Sequence, residues 1–268
     1  MLKDITLGQY FPGTSPVHKL DPRTKLLLVV IYIVALFVAK GWIAYGLVAA
    51  FLVSAVTVSR IHPKALLRGL KPVFIIVIFT AVLNLFYTDG QHVLVKFWKI
   101  TIYWEGLETA AFMALRIIML ICGTFLLTYT TSPISLTDGL ESLLSPLKKI
   151  RFPVHELAMM MGIALRFIPT LIEETDKIMS AQKARGADFE SGNLLQRAKA
   201  LVPILVPLFI SAFRRADELA TAMECRCYQG GGGRTKLHVL KYAGRDCAAL
   251  LIGAAFLAGV ITLKSLGI

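Results

Sequence analysis

Two short stretches of this sequence place the same chemistry at the ends of two helical patterns. Lys183-Ala184-Arg185-Gly186 closes the first and Glu224-Cys225-Arg226-Cys227 closes the second. Arg185 and Arg226 are 41 positions apart, and at that offset Asp176 superposes on Asp217 and Ala181 on Ala222. The second helix therefore reads as a weak copy of the first, and a duplicated element suggests two similar receptors. An arginine near a helix C-terminus also complements the helix dipole, whatever else it does. An exposed guanidinium at a helix tip can in addition form bidentate pairs with carboxylates in a partner's groove, while apolar residues beside it supply buried area. Met159, Met160, Met161, Leu165, Ile168, Leu171 and Ile172 provide such a greasy face, open to the membrane, to a partner or to packing within the chain.

Catalytic patterns are not legible. The glycines at 230–233 are followed by Arg234-Thr235-Lys236 rather than by Gly-Lys-Ser/Thr, so the tract does not read as a phosphate-cradling Walker A loop. No paired carboxylates, Ser/His/Asp set or HExxH motif stands out. His62, His92, His155 and His238 share no spacing, and Cys225-Arg-Cys227 has no second Cys or His pair at metal-ligand distance in sequence. No cofactor and no metal are expected, and energy must come from another subunit.

The elements that position the two arginines belong to a membrane protein. Of 268 residues 56% are hydrophobic, and mean hydropathy is +0.67, too apolar for an ordinary soluble domain. The net charge of +12 does not imply nucleic-acid binding, because the Lys and Arg avoid the apolar runs and form no basic-aromatic surface. The partners expected are proteins and anionic lipid. No signal peptide is legible at the start, so the first spanning helix is expected to direct insertion.

Residues 26–58 are too long for one span and break near Lys40-Gly41-Trp42, which reads as two helices and an interfacial turn. Further spans are expected at about 71–87, 107–129 and 246–263. Between the last two lie over a hundred amphipathic residues. Within them, residues 135–149 read as a short helix capped by Ser135 or Thr137, and 154–186 and 194–228 as long helices bent or begun near Pro169, Pro203 and Pro207. The expected fold is all-α and polytopic, with about five transmembrane helices. The division is an N-terminal membrane domain (1–129), a cytoplasmic coupling-helix domain (130–242) and a C-terminal transmembrane helix (243–268). Counting basic residues on alternate sides gives twenty-four against four with Arg116 left out, which orients the N-terminus to the cytoplasm of a plasma-membrane protein. Arg116, inside the fourth span, is an intramembrane charge whose partner stays open, Glu108 being geometrically marginal.

Leu7-Gly8-Gln9-Tyr10, with Ser15 and then His18-Lys19-Leu20-Asp21-Pro22-Arg23-Thr24-Lys25-Leu26, resembles the N-terminal signature of the transmembrane T components of energy-coupling factor transporters, the EcfT/CbiQ-like family. Ala184-Arg185-Gly186 is similar to that family's first Ala-Arg-Gly signature. Cys225-Arg226-Cys227 occupies the second, with both flanking residues replaced, so there only the arginine carries over. The resemblance covers essentially the whole chain. It implies a non-catalytic coupling subunit bound to two ABC-type ATPases and to a small substrate-binding S component in the membrane. Arg185 and Arg226 would each enter a groove of one ATPase, and the long helices would tilt the S component to release its vitamin or micronutrient. A module dedicated to cobalt, nickel or biotin has a similar T component. A stand-alone secondary transporter would need more polar groups within its spans than Arg116 and Asn84.

Overall fold

Pro22 at the first helical position, with Asp21 accepting from the Arg23 amide at 2.9 Å, starts the first helix of a computed structural model. The structure describes residues 10–88, 92–97, 100–189, 193–230 and 239–266. Leu7-Gly8-Gln9, the tract from Gly231 through Lys236, and His238 lie outside the described residues. The chain divides into two compact units, one within 140–239 and the other within 8–139 and 240–268.

In the second of these, α1 (Pro22–Val38), α2 (Gly41–Ser59), α5 (Trp104–Thr130) and α9 (Gly244–Ser265) enclose the core. Ala35, Ala39 and Ala44 are fully buried with Leu36, Val48 and Val260. Small residues allow the close backbone approach that membrane helices need, because lipid supplies no hydrophobic drive for association. Gly123 of α5 shows the requirement directly: a Cβ there would collide with the ring of Tyr32, whose hydroxyl donates to the Met119 carbonyl at 2.9 Å. The turn between α1 and α2 is the one the Lys40-Gly41-Trp42 break predicts, and Gly41 turns it at φ +79°.

The span expected at 71–87 is instead a broken one. Pro72 cannot continue a helix, so α3 (Pro63–Leu70) and α4 (Phe74–Tyr87) meet at a 61° bend. α4 alone has 14 residues, about 21 Å of rise, and is short of a bilayer. A small antiparallel hairpin, β1 (Val93–Phe97) and β2 (Ile100–Tyr103), joins α4 to α5. Its run of Val, Ile and Tyr suits a strand pair, and it is the one departure from helix among the described elements.

Arg116 finds its partner on α2. Its Nε donates to the Tyr45 hydroxyl at 2.9 Å, and its guanidinium lies 5.5 Å from the Phe37 ring centre and 5.9 Å from that of Tyr45. Glu108 instead accepts from the Trp42 indole at 3.2 Å.

α6 (Pro133–Leu144) is capped one turn earlier than expected. The Ser132 hydroxyl, rather than Ser135 or Thr137, receives the Ser135 amide at 3.2 Å, because Pro133 occupies the first helical position. The Thr137 hydroxyl donates back to the Ile134 carbonyl. The unit within 140–239 is built on α7 (Val154–Ala184) and α8 (Leu194–Glu224), 31 residues each.

By length and apolarity α2, α5, α7, α8 and α9 could each cross a membrane, as could the broken α3–α4 pair. α1, at 17 residues, sits at the short limit. The chain is an all-α polytopic membrane protein. The apolar stretches of α7 and α8 are confined to their first halves and middle, with Glu173, Glu174, Asp176 and Lys177 following in α7 and Arg214, Arg215, Asp217 and Glu218 in α8.

Candidate functional site

α7 ends where a left-handed residue can close it. Arg185 is the last residue in a near-helical conformation, and Gly186 follows at φ +88°. The Gly186 amide donates to the Lys183 carbonyl at 3.0 Å and the Ala187 amide to the Gln182 carbonyl at 3.0 Å. These are the two bonds of a Schellman cap, which satisfies carbonyls that the helix itself leaves free. Gly is the residue this turn favours, since a Cβ is strained in the left-handed region.

α8 closes in the same way with a different sequence. Cys227 takes the left-handed conformation at φ +56°, its amide donates to Glu224 at 2.8 Å, and the Tyr228 amide donates to Met223 at 3.1 Å. Register by register, Cys227 stands where Gly186 stands, and Arg226 where Arg185 stands. Replacing Gly by Cys keeps the cap and adds a backbone cost on the order of 1 kcal/mol or somewhat more. Ala184, Arg185, Gly186, Cys225, Arg226 and Cys227 are all exposed. Among the described residues, neither guanidinium has a side-chain hydrogen bond or ion pair.

What holds the two helices together also separates the tips. Arg215 of α8 donates to Glu174 of α7 at 2.9 Å, and Gln182 Nε2 lies 3.5 Å from the Pro203 carbonyl oxygen. Moving up α7 from 174 to 182 moves down α8 from 215 to 203, so the helices run antiparallel. The Gln182 contact has a local cause: Pro207 has no amide to give the Pro203 carbonyl four residues earlier, and the Gln182 side chain stands in for it. With the crossing near 178 and 209, Arg185 and Arg226 point away from each other at opposite ends, on the order of 30 Å apart at 1.5 Å per residue. The Ser211 hydroxyl first, and Arg215 second, hold the Glu174 carboxyl below the ordinary carboxylate range. Glu174 and Arg215 are themselves 41 apart, the offset of the arginine tips. That offset was the available signal for this pair, and it was missed because it superposes opposite charges rather than identical residues.

The N-terminal signature does something else. Ser15 Oγ and His18 Nδ1 lie 2.7 Å apart, and His18 Nε2 lies 3.0 Å from the Phe11 carbonyl oxygen. Lys25, 5% exposed, donates to the carbonyls of His18 at 3.1 Å and Thr130 at 2.9 Å. Asp246, 2% exposed, accepts from the Asp21 amide and from the Ala243 amide, both at 2.8 Å. The motif thus ties the start of α1 to the end of α5 and the start of α9. Asp246 is a structural residue that the sequence alone did not single out: its partner lies 225 positions away.

A family model described as cobalt transport protein, CbiQ, matches residues 13–238. The chain belongs to the CbiQ family. It is 58% identical over 266 residues to a protein of Clostridium kluyveri, covering 97% of this chain and 98% of the relative. It is 55% identical over 260 residues to one of Thermosediminibacter oceani, with 97% and 98% covered. It is 50% identical over 251 residues to one of Bacillus subtilis, with 94% and 95% covered. Each of the three is named energy-coupling factor transporter transmembrane protein EcfT. Both arginine tips fall inside the stretch matched by the CbiQ family model, as do Ser15, His18, Asp21 and Lys25.

Proposed function

We propose that this chain is the transmembrane T component of an energy-coupling factor importer, and that Arg185 and Arg226 are its two points of attachment to a pair of ABC-type ATPase subunits. The observation that carries the reading is the pair of matched caps. Two exposed arginines, without a side-chain partner among the described residues, stand on equivalent Schellman turns at opposite ends of one antiparallel helix pair. A pair of similar ATPases presents two similar grooves some distance apart, and a rigid helix pair with like tips at both ends meets both at once. ATP-driven closure changes the separation of the grooves, so the pair works as a lever on whatever its apolar faces contact. Those faces, with Leu201, Val202, Leu205, Phe209 and Phe213 exposed on α8, suit an S component that binds the vitamin or micronutrient. On this reading the chain performs no hydrolysis; ATP is consumed in the partner subunits.

The rest of the proposal concerns sidedness. Residues 130–242 form the coupling domain on the cytoplasmic side, 1–129 and 243–268 lie in the membrane, and the N-terminus is cytoplasmic, as the excess of Lys and Arg on that side favours.

The deciding experiment is co-purification of the full chain with its ATPases. Wild type is expected to bring down two ATPase subunits per copy, Arg185→Glu or Arg226→Glu to weaken that recovery severely, and the double reversal to abolish uptake while the chain still inserts. Normal uptake by the double variant would reject the two contacts, and uptake by the purified chain alone would reject the coupling role.

A further inference from the structure

A second site lies in the unit that holds α1 to α5. A cavity of about 360 Å3 opens between the segment from Phe11 to His18, the end of α2 and the start of α3. Arg60, Lys64 and Arg68 line it, no carboxylate does, and none of the three has an ion pair among the described residues. Three like charges around one cavity repel one another, and an anion between them removes that cost.

Two features of the backbone ask for the same occupant. α3 starts without a side-chain cap: His62 makes no capping bond, Pro63 has no amide, and no acidic residue sits in the first turn. Lys64 in that turn places a positive charge where the helix dipole is already positive, which is unfavourable unless an anion is bound there. Arg60 ends α2 at φ +57°, a conformation that costs a non-glycine residue, and it carries a guanidinium into the cavity wall.

The surroundings say which anion. Beside the cavity, Leu67 is 64% exposed, and just beyond it Phe74 and Ile75 of α4 are 60% and 75% exposed. A cationic cavity bordering bare apolar surface at the end of a membrane helix presents a headgroup site and an acyl-chain track together. We propose that this cavity binds a phosphate oxyanion, and that the phosphate is the headgroup of an anionic membrane phospholipid, with its acyl chains along Leu67 and α4. Bound there, the lipid anchors the bent α3–α4 pair at the membrane surface.

The test is native mass spectrometry of the full chain released from nanodiscs of phosphatidylglycerol and phosphatidylcholine, with a Lys64→Gln/Arg68→Gln variant and a Lys148→Gln control outside the cavity. Wild type and control are expected to retain one phosphatidylglycerol in preference to phosphatidylcholine, and the double variant to retain it at least tenfold less. Equal retention by wild type and double variant overturns the proposal, as does an equal loss in the control. Displacement of the lipid by inorganic phosphate in a competition series would make free phosphate the ligand and overturn the lipid assignment. So would a double variant that keeps its lipid and loses ATPase co-purification, which would make the cavity a protein contact. Should the double variant not fold, titrating phosphatidylglycerol into nanodiscs of wild type decides: saturation at one retained lipid supports the site, and a linear rise without saturation rejects it.

Discussion

The N-terminal signature and the arginine tips are both stretches of charged and polar residues that resemble a family pattern, and the structure uses them in opposite ways. Between Ser15 and Lys25, the side chains of Ser15, His18, Asp21 and Lys25 bond within the chain, with Lys25 and Asp21 buried and Asp246 closing the set from α9. At the tips Ala184, Arg185 and Gly186, like Cys225, Arg226 and Cys227, are exposed, and the caps satisfy the backbone. A buried charge with all its bonds made is a device for holding helices together, whereas an exposed charge on a rigid cap contributes little to its own fold and is free for a partner.

Charge reversal at a tip should separate the two regions most strongly. Arg185→Glu is expected to cut ATPase recovery by about a hundredfold while lowering the thermal midpoint of the isolated chain by only about 1–4 °C, since it sits away from packed contacts and reverses only a charge–dipole contribution of about 0.3–1 kcal/mol. Pull-down and a melting curve on the same preparation check both halves; a midpoint lowered by about 10 °C would show that the tip also serves the fold.

The converse variant is Asp246→Ala. It leaves the Asp21 and Ala243 amides unsatisfied and is expected to destabilise the chain by about 2–4 kcal/mol, with ATPase binding retained below the melting temperature. Loss of binding in folded protein would break the division between the regions.

Smaller effects test whether the two tips are truly alike. Cys227→Gly relieves a left-handed non-glycine residue and is expected to stabilise the α8 tip by about 1 kcal/mol, and Gly186→Ala to destabilise the α7 tip by a similar amount. Hydrogen exchange of the Tyr228 and Ala187 amides reads each cap separately. Unchanged exchange in both variants would mean that the left-handed residue does not limit cap opening.

The smallest effect concerns the pair between the tips. The Ser211 hydroxyl first and Arg215 second hold the Glu174 carboxyl below its ordinary range, so the stabilisation they give is fully present above the unfolded carboxyl pKa and is lost as pH falls through the depressed one. Acidification is expected to loosen α7 against α8 slightly in wild type and not in Glu174→Gln, measurable as the difference between their midpoints across that pH range.

Much of this was legible in the residues because it is local. The break at Lys40-Gly41-Trp42, the long helical stretches and the glycine after Arg185 each follow from a few neighbouring positions. The cap at Cys227 was not legible, since Cys does not announce a left-handed turn. It forms because the helix must end there with its carbonyls satisfied. The 71–87 stretch reads as one apolar span; Pro72 and the amphipathic run before it make a bend, and hydropathy averages over both.

The sequence by itself determined a polytopic helical membrane protein with two arginine-tipped helices, because hydropathy, charge sidedness and a 41-residue offset are properties of the chain read in one dimension. Only the tertiary structure decided that Asp246 bonds Asp21, that Tyr45 answers Arg116, and that α7 and α8 run antiparallel with their tips at opposite ends. Those are pairings between residues from 21 to 225 positions apart, chosen by which surfaces pack best once the helices exist, and no local pattern carries that information.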